Sequence, residues 1–460
     1  MKQLKLVEPV MAVYCFASFA SYPAMQQYIY HRLWQDETNS TIIFNGTVSN
    51  CETNQSNPYF IHQKEVQKRA SIFTTTLDLS SLIPSLLMAL ILVSYGDRHG
   101  RKASILLPTI GALLSVIGYG LAAFLDLPLG VLYVSSVLSG FLGGFATLIG
   151  GCFSYVADLA KDVQQKNVRI AFIDMVLGVS MGVAGITSGY MIEGLGFKWA
   201  FGIPGILHIV NLFYIIFILE ETVKRSEFQQ NLLSTDGFKE LFSGVFLLFK
   251  DASCNKRVTV ILLLFAFMSY LFADFGAATL FTLFELDSPL CWHPVLIGWG
   301  SALSTFCYVG SFLGVYLFTR CLKDEYIVFI GIASWMAGII LAAFATTTVA
   351  MMLVRVPLLL SGMPLPILRS MMSKVVLEDE QGALFACIAC LESLTGTLTI
   401  AVFNIIYSAT VLWFPGFCFL LSAALCIIPF TAVWILLCRG RQERDHVLLV
   451  NDDFSTEVET

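Results

Sequence analysis

Asp97-Arg98-His99-Gly100-Arg101-Lys102 is a compact charged loop between the second and third apolar stretches of a 460-residue chain. Gly100 lets so short a connection turn without a Cβ clash. Asp97, at the end of one helix, can pair with arginines and with a neighbouring helix end in one conformation only. Asp97, Arg98 and Arg101 are therefore expected gating residues. A generic basic loop is the plainer alternative.

Outward from this loop the chain is hydrocarbon-like. Apolar residues make up 57% of it and charged residues 13%, far from the balance of a soluble domain. Runs of about 20 apolar residues recur, each long enough to cross a bilayer core. Twelve are read, the first near 7–29 and the last near 413–438. Backbone groups in lipid must be satisfied within the segment, so these runs are expected to be helices. The fold class is an all-α membrane protein.

Most lysines and arginines outside the spans, from Lys2 and Lys5 to Arg444, fall on one side of this arrangement. The other side holds only Arg32, Lys64, Lys68, Arg69 and Lys198. The positive side is cytosolic, which places both termini there. Met1–Lys5 is basic and precedes an apolar run, but that run outlasts a signal-peptide core and is expected to stay as the first span. The polar loop near 30–70 carries three N-x-S/T sequons, at Asn39, Asn45 and Asn54, on the non-cytosolic side where glycosylation occurs. Of twelve cysteines, only Cys51 and Cys291 fall in loops on that oxidising side. They read as a disulfide, with two free thiols as the alternative. No Cys/His spacing suits a metal, and no basic patch in a soluble domain argues for nucleic acid.

A D-R-x-G-R-K loop at this place resembles the signature of the major facilitator superfamily. Segment 221–257 divides the spans six and six, as that resemblance implies. The expected organisation is a six-helix bundle over 1–220, a cytosolic central loop over 221–257, a second six-helix bundle over 258–438, and a cytosolic tail over 439–460. Within the loop, Phe238–Phe249 is amphipathic and suits the membrane surface. Twelve transmembrane helices in two bundles place a substrate cavity between them near the midplane. In the fifth span, Gly178, Gly182, Gly185 and Gly189 put small residues on one face. The resemblance implies packing against the eighth span; ordinary membrane packing is the alternative.

Ionisable groups at membrane depth are costly and therefore functional candidates. Asp174 lies in the fifth span, Asp274 in the seventh, Glu392 in the eleventh, and Arg355 and Arg369 in the tenth. Asp78 and His208 are weaker candidates. A carboxylate in a low-dielectric cavity resists ionisation, so it can take up a proton on an acidic side and release it in the cytosol. A buried arginine stays charged and offers a planar fork to an organic anion. Asp174, Glu392 and Asp274 are thus expected proton-coupling residues, and Arg369 and Arg355 expected substrate contacts. Structural ion pairing is the alternative for any one of them. No P-loop, dinucleotide fingerprint or nucleophile elbow is present, so an enzyme is not expected, and energy should come from a proton gradient with no cofactor.

Three tracts sharpen the family. They are Glu285-Leu286-Asp287-Ser288-Pro289-Leu290-Cys291-Trp292, Leu368-Arg369-Ser370-Met371-Met372-Ser373-Lys374 with Glu380-Gln381-Gly382-Ala383-Leu384-Phe385, and Ile406-Tyr407-Ser408-Ala409-Thr410. They resemble solute carrier family 46, the proton-coupled folate transporter family, and most of all its lysosomal branch. That resemblance implies a proton-coupling role for Asp174, sensitivity at Asp97 and Arg101, a substrate link for Arg369, and a disulfide between Cys51 and Cys291. It also implies export of amphipathic organic anions (steroid sulfates, bile acids, small muropeptides) from lysosome lumen to cytosol. Asp274 departs from the folate branch, which has a histidine there, and this puts folate specificity in doubt. The alternatives are a plasma-membrane folate-like importer, or a receptor or scaffold on a carrier fold. In the tail, Asp445, Leu448 and Leu449 form a D-x-x-L-L pattern of the kind sorting adaptors read.

Overall fold

The computed structural model describes residues 6–38, 58–160, 162–222, 254–286, 290, 292, 294–377, 380–410 and 413–439. The sequons at Asn39, Asn45 and Asn54, the pair Cys51 and Cys291, the segment 238–249 and the sorting residues Asp445, Leu448 and Leu449 lie outside the described residues.

Twelve helical crossings follow one another. The first three are Glu8–Thr38, Pro58–His99 and Lys102–Leu125. The fourth runs over Gly130–Phe141 and Gly144–Leu159, and the fifth and sixth share Val163–Phe217, broken at Gly196. The seventh to ninth are Cys254–Leu286, Pro294–Phe318 and Asp324–Ala343. The tenth is assembled from Thr348–Leu353, a 3-10 turn at Pro357–Leu360 and Pro364–Val375. Gln381–Thr410 and Phe417–Arg439 complete the count. Large apolar side chains such as Val134, Phe217 and Ile405 remain exposed, as lipid contact requires.

The first helix runs on to Thr38 and the second begins at Pro58, so both ends of the polar loop expected over 30–70 are helical. Arg32 supports that extension by pairing with Asp126 at 3.0 Å. The charged loop is shorter too. Asp97, Arg98 and His99 are the last turn of the second helix, and only Gly100 and Arg101 turn the chain. Gly100 has φ +117°, a value that requires glycine there.

One break in the first half shapes the interior. Gly143 and Gly144 have φ of +106° and +57° and interrupt the fourth span. Its first part presses on the second span, where a Cβ on Gly140 would lie 2.5 Å from the Ser81 carbonyl oxygen. Helix interruptions at membrane depth occur where the backbone is buried in protein or lines a cavity.

The first span is central to its half. Tyr28 donates to the Ala122 carbonyl of the third span (2.8 Å), Asn211 of the sixth donates to the Val10 carbonyl (3.1 Å), and Tyr14 packs on Phe145 of the fourth.

The halves meet along the fifth and eighth spans and along the second, fourth and eleventh. A Cβ on Gly178 would overlap the Tyr308 ring, and one on Gly182 would overlap the Thr305 hydroxyl. Further toward the lumen, Gly185 and Gly189 have nothing within 4 Å. The glycine face therefore packs against the eighth span over its cytosolic part and is open above it.

Candidate functional site

The centre of the interface is an ion triad. Arg369 Nη1 donates to both carboxylate oxygens of Asp174, at 2.8 and 2.6 Å, and Nη2 donates to Glu392 Oε1 at 2.6 Å. Its guanidinium also lies over the rings of Phe153 (4.6 Å) and Phe267 (5.1 Å). Arg369 and Glu392 belong to the second half and Asp174 to the first, so one cation ties the halves together. Arg369 is buried, at 2% exposure, while the Asp174 and Glu392 side chains keep 21% and 15%. Arg369 Nε and Glu392 Oε2 have no hydrogen-bond partner among the described residues. Two carboxylates around one guanidinium leave one negative charge in excess, which a single proton neutralises.

Asp274 does not join this triad. Among the described residues its carboxylate makes no hydrogen bond or ion pair. The ring of Tyr308 rests on Gly178, one turn beyond Asp174.

Arg355 is placed differently from Arg369. Its Nη2 donates to Glu285 Oε1 at 2.5 Å, Nη1 donates to the Met351 carbonyl at 2.5 Å, and its face covers Phe281 at 5.1 Å. Both members are buried, at 6% and 2% exposure. Trp292 closes the group: its N–H donates to the Glu285 carbonyl (2.8 Å) and its indole to Thr348 (3.1 Å). The Arg355 fork is engaged inside the second half.

Below the triad, toward the cytosol, a polar layer links the halves. Asn167 donates to Asp324 Oδ1 at 2.8 Å and accepts from Ser370, and Lys166 donates to Ser373 at 3.1 Å. Lys374 pairs with Asp324. Phe153 stacks on Phe385 across the interface with ring centres 6.0 Å apart, and Cys390 donates to the Leu86 carbonyl at 3.3 Å.

The turn at Gly100 is fixed within the first half. Arg101 grips Asp158 with Nε (2.8 Å) and Nη2 (3.2 Å). Its backbone N–H, with that of Lys102, donates to the Glu221 carboxylate (2.6 and 3.2 Å), which meets the unpaired amides of a helix start. The side chains of Asp97 and Arg98 lie outside the described residues.

Sequence reasoning missed Asp158, Glu221, Glu285, Asn167 and Asp324. Each stands at the end of a span, where a polar residue is ordinary. A buried arginine demands an acid, so a search for the partners of Arg101 and Arg355 would have reached Asp158 and Glu285.

The family model described as Major Facilitator Superfamily matches residues 9–289. The chain is 52% identical over 458 residues to the lysosomal proton-coupled steroid conjugate and bile acid symporter of Gallus gallus, with 99% of each chain covered. It is 43% identical over 457 residues to the protein of that name in Homo sapiens, again with 99% of each covered. To the proton-coupled folate transporter of Rattus norvegicus it is 32% identical, over 94% of this chain and 91% of that one. Among solved structures, the human organic anion transporter MFSD10 superposes with a TM-score of 0.69 at 14% identity, covering 93% of this chain and 98% of that one. The transporter FucP in its outward conformation gives 0.64 at 12% identity, covering 94% and 98%.

Proposed function

Because the chain belongs to solute carrier family 46 of the major facilitator superfamily, we propose that it is a lysosomal proton-coupled symporter that exports amphipathic organic anions to the cytosol. Steroid conjugates such as steroid sulfates and bile acids are the leading substrates, with small muropeptides as further cargo. It acts as a carrier and not as an enzyme, and the proton gradient takes the place of a cofactor. The observation that carries this reading is the Arg369 fork held by Asp174 from one half and Glu392 from the other.

The mechanism follows from charge. In an acidic lumen a proton reaches Asp174 or Glu392 from the open side of the cleft. Neutralising a carboxylate weakens its hold on Arg369, because charge-assisted hydrogen bonds are roughly twice as strong as neutral ones. The freed fork takes the sulfate or carboxylate of the substrate. With the tie from Asp174 released, the halves can rock, and cytosolic pH removes the proton. Asp274 is a second proton acceptor on the path, relayed past Tyr308. Arg355, closed on Glu285, supports the luminal end of the second half. Arg101 with Asp97 and Arg98 sets the cytosolic gate, and Asp445, Leu448 and Leu449 address the carrier to lysosomes through a sorting adaptor. The Cys51–Cys291 bridge and glycans at Asn39, Asn45 and Asn54 belong to the luminal face.

Uptake of labelled steroid sulfate at pH 5 and 7.4, in cells displaying the protein at the surface, tests the reading. Uptake that is faster at pH 5 and indifferent to folate is expected. Uptake blocked by folate would favour the plasma-membrane importer, and no flux at either pH would favour a receptor or scaffold.

A further inference from the structure

The first half carries a second polar group at membrane depth that the triad does not use. Tyr22 of the first span donates its hydroxyl to Asp78 Oδ2 of the second at 2.7 Å. In the same half, Tyr119 of the third span is hydrogen-bonded to Ser136 of the fourth at 3.0 Å. Unlike the triad, this group is exposed: Tyr22 is 42% exposed and Asp78 is exposed as well.

The exposure is toward the cleft. Ala89 lies eleven residues beyond Asp78, three helical turns on the same face past the bend at Pro84. Ala89 is fully buried against Ala146 of the fourth span and Ala389 and Cys390 of the eleventh. The face that carries Asp78 is therefore the one turned to the opposite half, and Asp78 sits where the halves have parted.

Depth can be read from a tie between the halves. Cys390, next but one to Glu392, reaches the Leu86 carbonyl, so the triad lies near the level of Leu86. Asp78 is eight residues nearer the lumen, about 12 Å along the helix. That is close to the length of a fused four-ring skeleton.

We infer that Asp78, oriented by Tyr22, is a luminal subsite that accepts a hydrogen bond from a ring hydroxyl of a steroid-type anion whose charged end lies on Arg369. This rests on the transport reading above and names the other pole of the same substrate. Tyr22 takes one carboxylate oxygen, Oδ2, and the other is the one assigned to the substrate hydroxyl. A carboxylate at this pole and a guanidinium at the other also set direction, since an anionic head is repelled by Asp78 and drawn to Arg369. The subsite selects anions with a hydroxyl far from the charge over equally apolar anions without one.

The full-length chain in proteoliposomes with an inwardly directed proton gradient provides the test. The probes are estradiol 3-sulfate, whose 17-hydroxyl lies one four-ring length from the charge, and its 17-deoxy analogue, which carries no hydroxyl. The wild type is expected to show a KM about tenfold lower for the hydroxylated conjugate, the scale of one hydrogen bond to a charged group. Asp78→Leu should bring that ratio close to one, and Tyr22→Phe should lower it about threefold. Measurable flux of the hydroxyl-free conjugate shows that each variant has folded. Equal KM values in the wild type, or a preference that survives both substitutions, would overturn the subsite while leaving proton-coupled transport intact. Absence of proton-driven flux for both conjugates in the wild type would instead overturn the transport reading and the subsite with it.

Discussion

The cytosolic and luminal parts of the cleft are built from the same helices with opposite design. On the cytosolic side, Asn167 reaches Asp324 and Ser370, Phe153 stacks on Phe385, and Tyr308 and Thr305 fill the glycine face at Gly178 and Gly182. On the luminal side, Gly185 and Gly189 face nothing within 4 Å, and Tyr22 and Asp78 are uncovered. The difference teaches where the energy of this conformation resides. It resides in directional contacts at and below the triad; among the described residues nothing comparable closes the luminal end.

The comparison breaks most severely at the triad. Arg369→Ala leaves Asp174 and Glu392 facing each other without their cation; removing one partner of a buried pair costs about 3–5 kcal/mol. Transport should be lost, and protein abundance measured alongside flux separates misfolding from inactivity. Arg369→Lys keeps the charge and loses the fork, so apparent affinity for a steroid sulfate should fall by about 1–3 kcal/mol. Unchanged kinetics would reject a two-pronged contact.

Next in size is proton coupling. Asp174→Asn keeps the shape of the side chain and removes its charge, so the gain in uptake from pH 7.4 to pH 5 should vanish at normal abundance. A pH profile like that of wild type would remove Asp174 from the coupling.

The glycine face sharpens the contrast within one helix. Gly178→Ala forces its methyl into the Tyr308 ring and should cut transport about tenfold, on the scale of about 1–3 kcal/mol for overpacking. Tyr308→Ala in the same chain should restore part of it. Gly189→Ala, in open space, should leave transport near wild type and stabilise the helix by no more than about 1 kcal/mol. Similar losses at both positions would mean that the luminal face is not open.

The last expected effect is at the polar layer. Asn167→Ala removes the contacts to Asp324 and Ser370 and should shift the balance toward opening at the cytosol by about 1–2 kcal/mol. Cys390 is 7% exposed and bonded across the interface, so peptide-resolved thiol labelling should find it reacting severalfold faster in that variant.

Much of this was legible before any coordinates. Twelve crossings follow from apolar runs because the bilayer forbids unpaired backbone. Asp174, Glu392 and Arg369 stand out singly because charge at membrane depth is costly. That they converge was not legible, since they lie on three spans whose rotation is set by packing. Arg355 and Arg369 are equal by residue type, and the packing that sets the first on Glu285 within one half and the second on Asp174 between the halves was not legible. Asn167 gave no signal, being a neutral residue near a helix start. Asp78 is a weaker candidate by sequence, and its interest rests on the hydroxyl of Tyr22, 56 residues away.

Gly196 joins the fifth and sixth spans with one non-helical residue, at φ 74° and ψ 173°. A corner of that length has no slack. Whatever displacement starts where Gly178 rides on Tyr308 is handed around the corner to the sixth span, and Asn211 passes it to the first through the Val10 carbonyl. The first half thus behaves as a stiff lever whose short arm is the glycine contact, and a movement of an ångström there swings the far luminal edge several times as far.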